Sequence, residues 1–94
     1  MRRYLVEREF PQGLDIPAGV AGVEQVLRLR DNNLLDKVVW LHSYLSDDRR
    51  RLYCICDAAT PEAIRRAAAR NGLPVTRICE VRVLDPYLYF EAAH

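Results

Sequence analysis

His42, Cys54 and Cys56 bring an imidazole and two thiols into one short stretch, Lys37 to Asp57, which reads as two apolar strands joined by a charged turn. Imidazole and thiolate are donors that suit nickel, copper or zinc, and Glu7 or Glu9 on a neighbouring strand would add a carboxylate oxygen. Cysteines two residues apart on a strand share a face, with Cα atoms about 7 Å apart. That is too far for an easy disulfide but close enough to flank an ion. The spacing matches no zinc finger or ribbon. Packing is the competing explanation: a half-buried histidine hydrogen-bonded to a neighbour, and cysteine as a small core hydrophobe. The third cysteine, Cys79, is expected to pack under a helix.

Hairpin register decides between these readings. Alternation puts Trp40, His42 and Tyr44 on one side of the first strand of the pair, and Val39, Leu41, Ser43 and Leu45 on the other. Ser46, Asp47, Asp48 and Arg49 supply the turn, and Leu52 to Cys56 returns with β-branched and aromatic character. A loop of odd length sets His42 opposite Cys54 and on the face of Cys56. A loop of even length sets it opposite Tyr53 and turns the cysteines away. In the first case the helix-facing layer is Val39, Leu41, Leu45, Tyr53 and Ile55; in the second it is Leu52, Cys54 and Cys56. Both are apolar, so core quality does not choose.

The elements that must position these residues follow from pattern. Arg3 to Phe10 alternates Tyr4, Val6 and Phe10 against Leu5, Glu7 and Glu9, a strand with one polar face. Pro11, Gly13 and Pro17 break it. From about Ala18 to Asp31, Val20, Val23, Val26 and Leu27 recur at helical spacing opposite Glu24, Gln25 and Arg28, and Asp31, Asn32 and Asn33 end the helix. A second helix has Thr60 as N-cap, Pro61 at its first position, Glu62 at its positive end, and Asn71-Gly72 followed by Pro74 as its stop. Ile78 to Leu84 is a last strand, with Cys79, Val81 and Val83 on one side and Glu80 and Arg82 on the other, closed by Pro86.

The order strand, helix, strand, strand, helix, strand predicts a ferredoxin-like α+β sandwich, a four-stranded antiparallel sheet with two helices on one face. Right-handed crossovers are expected to place the first and third strands parallel at the centre, with the second and fourth at the edges. Glu7, Glu9, Glu80 and Arg82 then define the open face, since burying them under helices would bury charge. With Trp40, Tyr44, Leu5 and Leu52 that face is apolar enough to predict a homodimer. The tail Tyr87-Leu88-Tyr89-Phe90 is expected to pack on its own sheet or on a neighbouring subunit.

Composition narrows the function classes. Residues 1–94 form one expected domain, of 94 residues with half of them hydrophobic and a net charge of +1. Basic and acidic residues interleave, so no long-range field draws the chain to nucleic acid or anionic lipid. Arg49-Arg50-Arg51 reads as a solvated turn. The segment from Arg51 to Ala58 lacks the basic-glycine-aromatic pattern of an RNA-recognition strand. No apolar run approaches the roughly 20 residues of a membrane helix, and no secretory h-region follows Met1. A cytoplasmic protein with three unpaired thiols is expected.

Trp40, His42-Ser43-Tyr44, Asp47-Asp48, Tyr53-Cys54, Arg65, Gly72 with Pro74, Glu80-Val81-Arg82 and Asp85-Pro86, with the opening Tyr4-Leu5-Val6-Glu7-Arg8, resemble a small bacterial family of uncharacterised ferredoxin-like proteins. That family includes a nickel-responsive, nickel-binding homodimer. The resemblance spans almost the whole chain and is weakest over the first helix. Two positions depart from the family pattern: Ala67 stands where a histidine is common, and Cys56 where a tyrosine is usual.

The resemblance implies a homodimer and a nickel cofactor, and it favours the register in which His42, Cys54 and Glu7 converge, with Cys56 beside them. A non-enzymatic metal-binding or metal-responsive role is preferred, with no catalytic residue assigned. The alternative is a small-molecule-binding protein or enzyme in which two open faces enclose an organic ligand. There His42 would act as acid or base, and Trp40, Tyr44, Glu9 and Glu80 would line the pocket.

Overall fold

The computed structural model describes residues 1–87. Its elements are β1 (Arg2–Glu9), α1 (Val20–Leu35), β2 (Val39–Leu45), β3 (Arg51–Ala58), α2 (Pro61–Asn71) and β4 (Arg77–Glu80). The sheet order is β2-β3-β1-β4, and every neighbouring pair is antiparallel. This is the ferredoxin-like α+β arrangement. β1 and β3 occupy the centre as expected, but they run antiparallel, not parallel. β1 and β2 run in the same direction with β3 inserted between them, and β3 and β4 do so with β1 between them.

Alternation along the central strands builds the core. Tyr4, Val6, Cys54, Cys56 and Ala58 are buried on the helix-facing side, where Ala63, Ile64 and Ala67 of α2 meet them. The alanines let the α2 backbone come close to β3, and burying a side chain such as Ile64 contributes about 1.5–3 kcal/mol. Thr60 caps α2 by accepting the Ala63 N–H at 3.3 Å, a contact typically worth about 1 kcal/mol. Gly72 ends the helix in the left-handed region, at φ 67°.

α1 differs from the amphipathic pattern read in the sequence. Val20, Val23 and Leu27 are exposed, while Gly22 is buried and Gln25, Val26 and Leu29 are half-buried. Gly22 sets this orientation, because a Cβ there would overlap the Pro17 carbonyl oxygen. The helix also runs on through Asn32 and Asn33 to Leu35. Both asparagines are engaged by α2: Asn32 Nδ2 donates to Asn71 Oδ1 at 2.9 Å, and Asn71 Nδ2 donates to Asn33 Oδ1 at 3.4 Å. Tertiary hydrogen bonds therefore satisfy side chains that would otherwise compete with the helix backbone.

β4 is shorter than the strand expected from Ile78 to Leu84. Val81 still donates its N–H to the Arg3 carbonyl at 2.9 Å, after which the chain leaves the sheet. Cys79 pairs with Leu5 on the open face, so it does not pack under a helix. Glu80 pairs with Tyr4 on the helix side, but it remains exposed and lies 3.7 Å from Arg2. It does not belong to the open face. Of the tail, Tyr87 is exposed, and Leu88, Tyr89 and Phe90 lie outside the described residues.

The C-terminus of α1 is tied to α2 through Asp36, whose carboxylate accepts from Arg70 Nε at 3.0 Å and faces Arg66 at 3.8 Å. The Arg70 hydrogen bond holds the Asp36 carboxyl below its usual value. A carboxyl depressed on folding stabilises the protein above its unfolded pKa and loses that contribution as pH falls through the folded value. Thermal unfolding followed below about pH 4 should therefore show a falling midpoint, and Asp36→Asn should flatten that slope while lowering the midpoint at pH 7.

Candidate functional site

The hairpin turn fixes which side chains can meet. Ser46 and Arg51 close it through Ser46 N–H to the Arg51 carbonyl at 2.9 Å. Inside it, Ser46 Oγ donates to Asp48 Oδ1 at 2.7 Å, the Arg50 N–H donates to the same oxygen at 3.0 Å, and Arg49 takes a positive φ of 62°. The loop is of even length, so Leu45 pairs with Leu52, Tyr44 with Tyr53, Ser43 with Cys54 and His42 with Ile55. A bulge at Leu41 then shifts the register, and Trp40 pairs with Cys56.

Two consequences correct the sequence reading. His42 and Tyr44 stay on the open face, their rings edge to face with centroids 5.3 Å apart. Trp40 passes to the helix side, where its Nε1 donates to Ser43 Oγ at 2.8 Å. The cysteines follow Trp40: Cys54 and Cys56 are buried beneath the helices, away from His42. Leu52 shares their face.

On the open face, Glu7 pairs with Tyr53 and Glu9 with Arg51. Glu7 and His42 thus share a face but are separated by β3, and His42 lies in the row of Ile55 and Leu5. Among the described residues, no three His, Cys, Asp or Glu side chains stand close enough together to hold one ion. The converging set of His42, Cys54, Glu7 and Cys56 is not assembled within this chain. Arg3 and Asp57 form a two-contact pair on this face, at 2.9 and 3.2 Å, and the Arg3 hydrogen bond holds the Asp57 carboxyl below its usual value. The open face is therefore a patch of Leu5, Tyr44, Tyr53, Ile55 and His42 bordered by charge.

The expected pocket walls are dispersed. Tyr44 and Glu9 are exposed on the open face, Glu80 lies at the sheet edge, and only Trp40 lines an apolar cavity. That cavity, of about 370 Å³, lies between α1 and the sheet. It also contains the residue that sequence reasoning missed, Arg8, which is 5% exposed. Arg8 Nη1 donates to the Pro74 carbonyl at 2.9 Å, while Nε is buried with no partner. An unsatisfied buried donor costs about 1–3 kcal/mol. The signal was present in the alternation, where Arg8 occupies an apolar-side position between Val6 and Phe10.

Residues 4–81 match the family described as nickel responsive protein SCO4226-like, and the chain belongs to that family. Among solved structures, the crystal structure of SCO4226 from Streptomyces coelicolor A3(2) is similar with a TM-score of 0.64. The match covers 88% of this chain and 99% of that one at 16% sequence identity, a level of likeness that establishes the fold. No curated protein matches the chain. No helix among the described residues is long and apolar enough to cross a membrane.

Burial pushes the Cys56 thiol up to about 12, so it is a neutral thiol at pH 7 and a poor nucleophile. Alkylation by iodoacetamide at pH 7, read by mass spectrometry, should leave Cys54 and Cys56 unmodified in the native protein and label both in denaturant. Labelling of Cys56 at the native rate of a free peptide thiol would contradict its place in the core.

Proposed function

We propose that this protein is a nickel-binding, nickel-responsive homodimer of the reducing cytoplasm, with His42 as the principal metal donor. Membership of a family described as nickel responsive is the observation that carries the reading. The donor chemistry fits in part. His42 offers an exposed imidazole and Glu7 a half-buried carboxylate on the same face, donor types that suit nickel. Cys54 and Cys56 do not fit, because they lie on the other face of the sheet and the Cys56 thiol stays protonated.

The proposed dimer forms through the open face, where Leu5, Tyr44, Tyr53 and Ile55 make an apolar patch of the kind that marks interaction sites. A second copy laid on that face brings its own imidazole and carboxylates to the first, supplying the donors that one chain lacks. Three unpaired thiols agree with a reducing compartment.

The test uses tag-free, chelator-treated protein titrated with nickel by calorimetry, with mass read by light scattering. The parent should be a dimer that binds nickel, more weakly as acid protonates the imidazole. His42→Ala should lose at least about tenfold in affinity, Cys54→Ser should bind as the parent does, and Ile55→Arg should be monomeric. A parent that binds no nickel, or a His42→Ala protein that binds it unchanged, overturns the reading.

A further inference from the structure

Arg8 lies on the side of its strand where a charge is least expected. Strand alternation sends Tyr4, Val6 and Arg8 beneath the helices and turns Glu7 and Glu9 to the opposite face. The carboxylates adjacent in sequence are therefore out of reach. None of the ion pairs among the described residues involves Arg8. Its guanidinium has a carbonyl for one nitrogen and nothing for Nε. The Cys56 thiol in the cavity wall supplies no counter-charge, since burial keeps it protonated.

The rest of the wall carries no charge. Phe10, Ile16, Val26, Leu29, Trp40 and Leu52 face the same space as Arg8, and its other polar members, Gln25, Asn33, Ser43 and Asn71, are neutral. A pocket lined mainly by apolar side chains, with one convergent charged group, is the usual form of a small-molecule site. Its volume of about 370 Å³ has room for about a dozen non-hydrogen atoms at roughly 30 Å³ each.

We propose that the cavity between α1 and the sheet binds a medium-chain aliphatic carboxylate, with its head on the Arg8 guanidinium and its chain among Val26, Leu29 and Trp40. A single cation matches a monoanion. A phosphate dianion would bring a second charge into an apolar space that offers no second cation, which is costly. The site is separate from the open face that the nickel reading uses, and neither proposal depends on the other.

Trp40 is the sole tryptophan of the chain, so its emission reports on this cavity directly. The full chain is titrated with decanoate, decanol and decyl phosphate, with fluorescence and calorimetry as readouts. Decanoate should bind saturably, and decanol at least about tenfold more weakly, the loss expected for one charge-assisted hydrogen bond. Arg8→Met should erase the preference for acid over alcohol. Val26→Phe, which fills the cavity, should weaken decanoate at least about tenfold while circular dichroism stays unchanged.

Absence of saturable binding up to millimolar decanoate, equal binding of acid and alcohol by the parent, or tighter binding of decyl phosphate would overturn the proposal. So would unchanged decanoate binding in a folded Val26→Phe or Arg8→Met protein. If Arg8→Met does not fold, the parent's acid-to-alcohol ratio and the Val26→Phe variant decide.

Discussion

The register of the β2–β3 hairpin is the constraint on which the two faces of this molecule depend. Because strand side chains alternate with a period of two, one residue of slip exchanges everything between core and surface. The turn around Asp48 sets the even register, and its hydrogen bonds from Ser46 and Arg50 keep that carboxyl below its ordinary value. The bulge at Leu41 acts as a second, independent switch. It reverses the facing of β2 partway along, so that Trp40 enters the protein while His42 and Tyr44 stay outside.

The two helices meet the sheet on different terms. α2 lies close to it on small side chains, and Ala63, Ala67 and Ala68 are almost fully covered. Ala67 is a core residue. α1 is held at its ends. Gly22 is pressed against the Pro17 carbonyl at one end, and Asn32, Asn33 and Asp36 are tied to Asn71, Arg66 and Arg70 at the other. Between these attachments the helix spans the edge of the sheet and leaves the cavity that Arg8 and Trp40 line.

Charge is divided by the same geometry. The carboxylates of β1 face outward, on the side where Arg3 and Asp57 pair. Among the charged side chains of the described residues, Arg8 alone is carried into the buried interior, at the cost of a donor without an acceptor. A buried group of this kind detracts from stability unless something binds it.

The order of elements, the sheet with its open face, the start and stop of α2 and the buried pattern of Tyr4 and Val6 were all legible in the sequence, because they rest on local period and on capping residues that act within a few positions. The placement of the site was not. The parity of a turn, a single bulge residue and the rotation of α1 set by Gly22 are small local choices that only hydrogen bonds and packing between distant segments select. They moved Trp40, Cys54 and Cys56 to the helix side and left His42 with Glu7 on the open face, while the pairing of β4 with β1 put Cys79 there as well. Arg8 was visible as a charge at an apolar position of an alternating strand, but its lack of a partner could be seen only once Pro74, the cysteines and α1 had been brought around it.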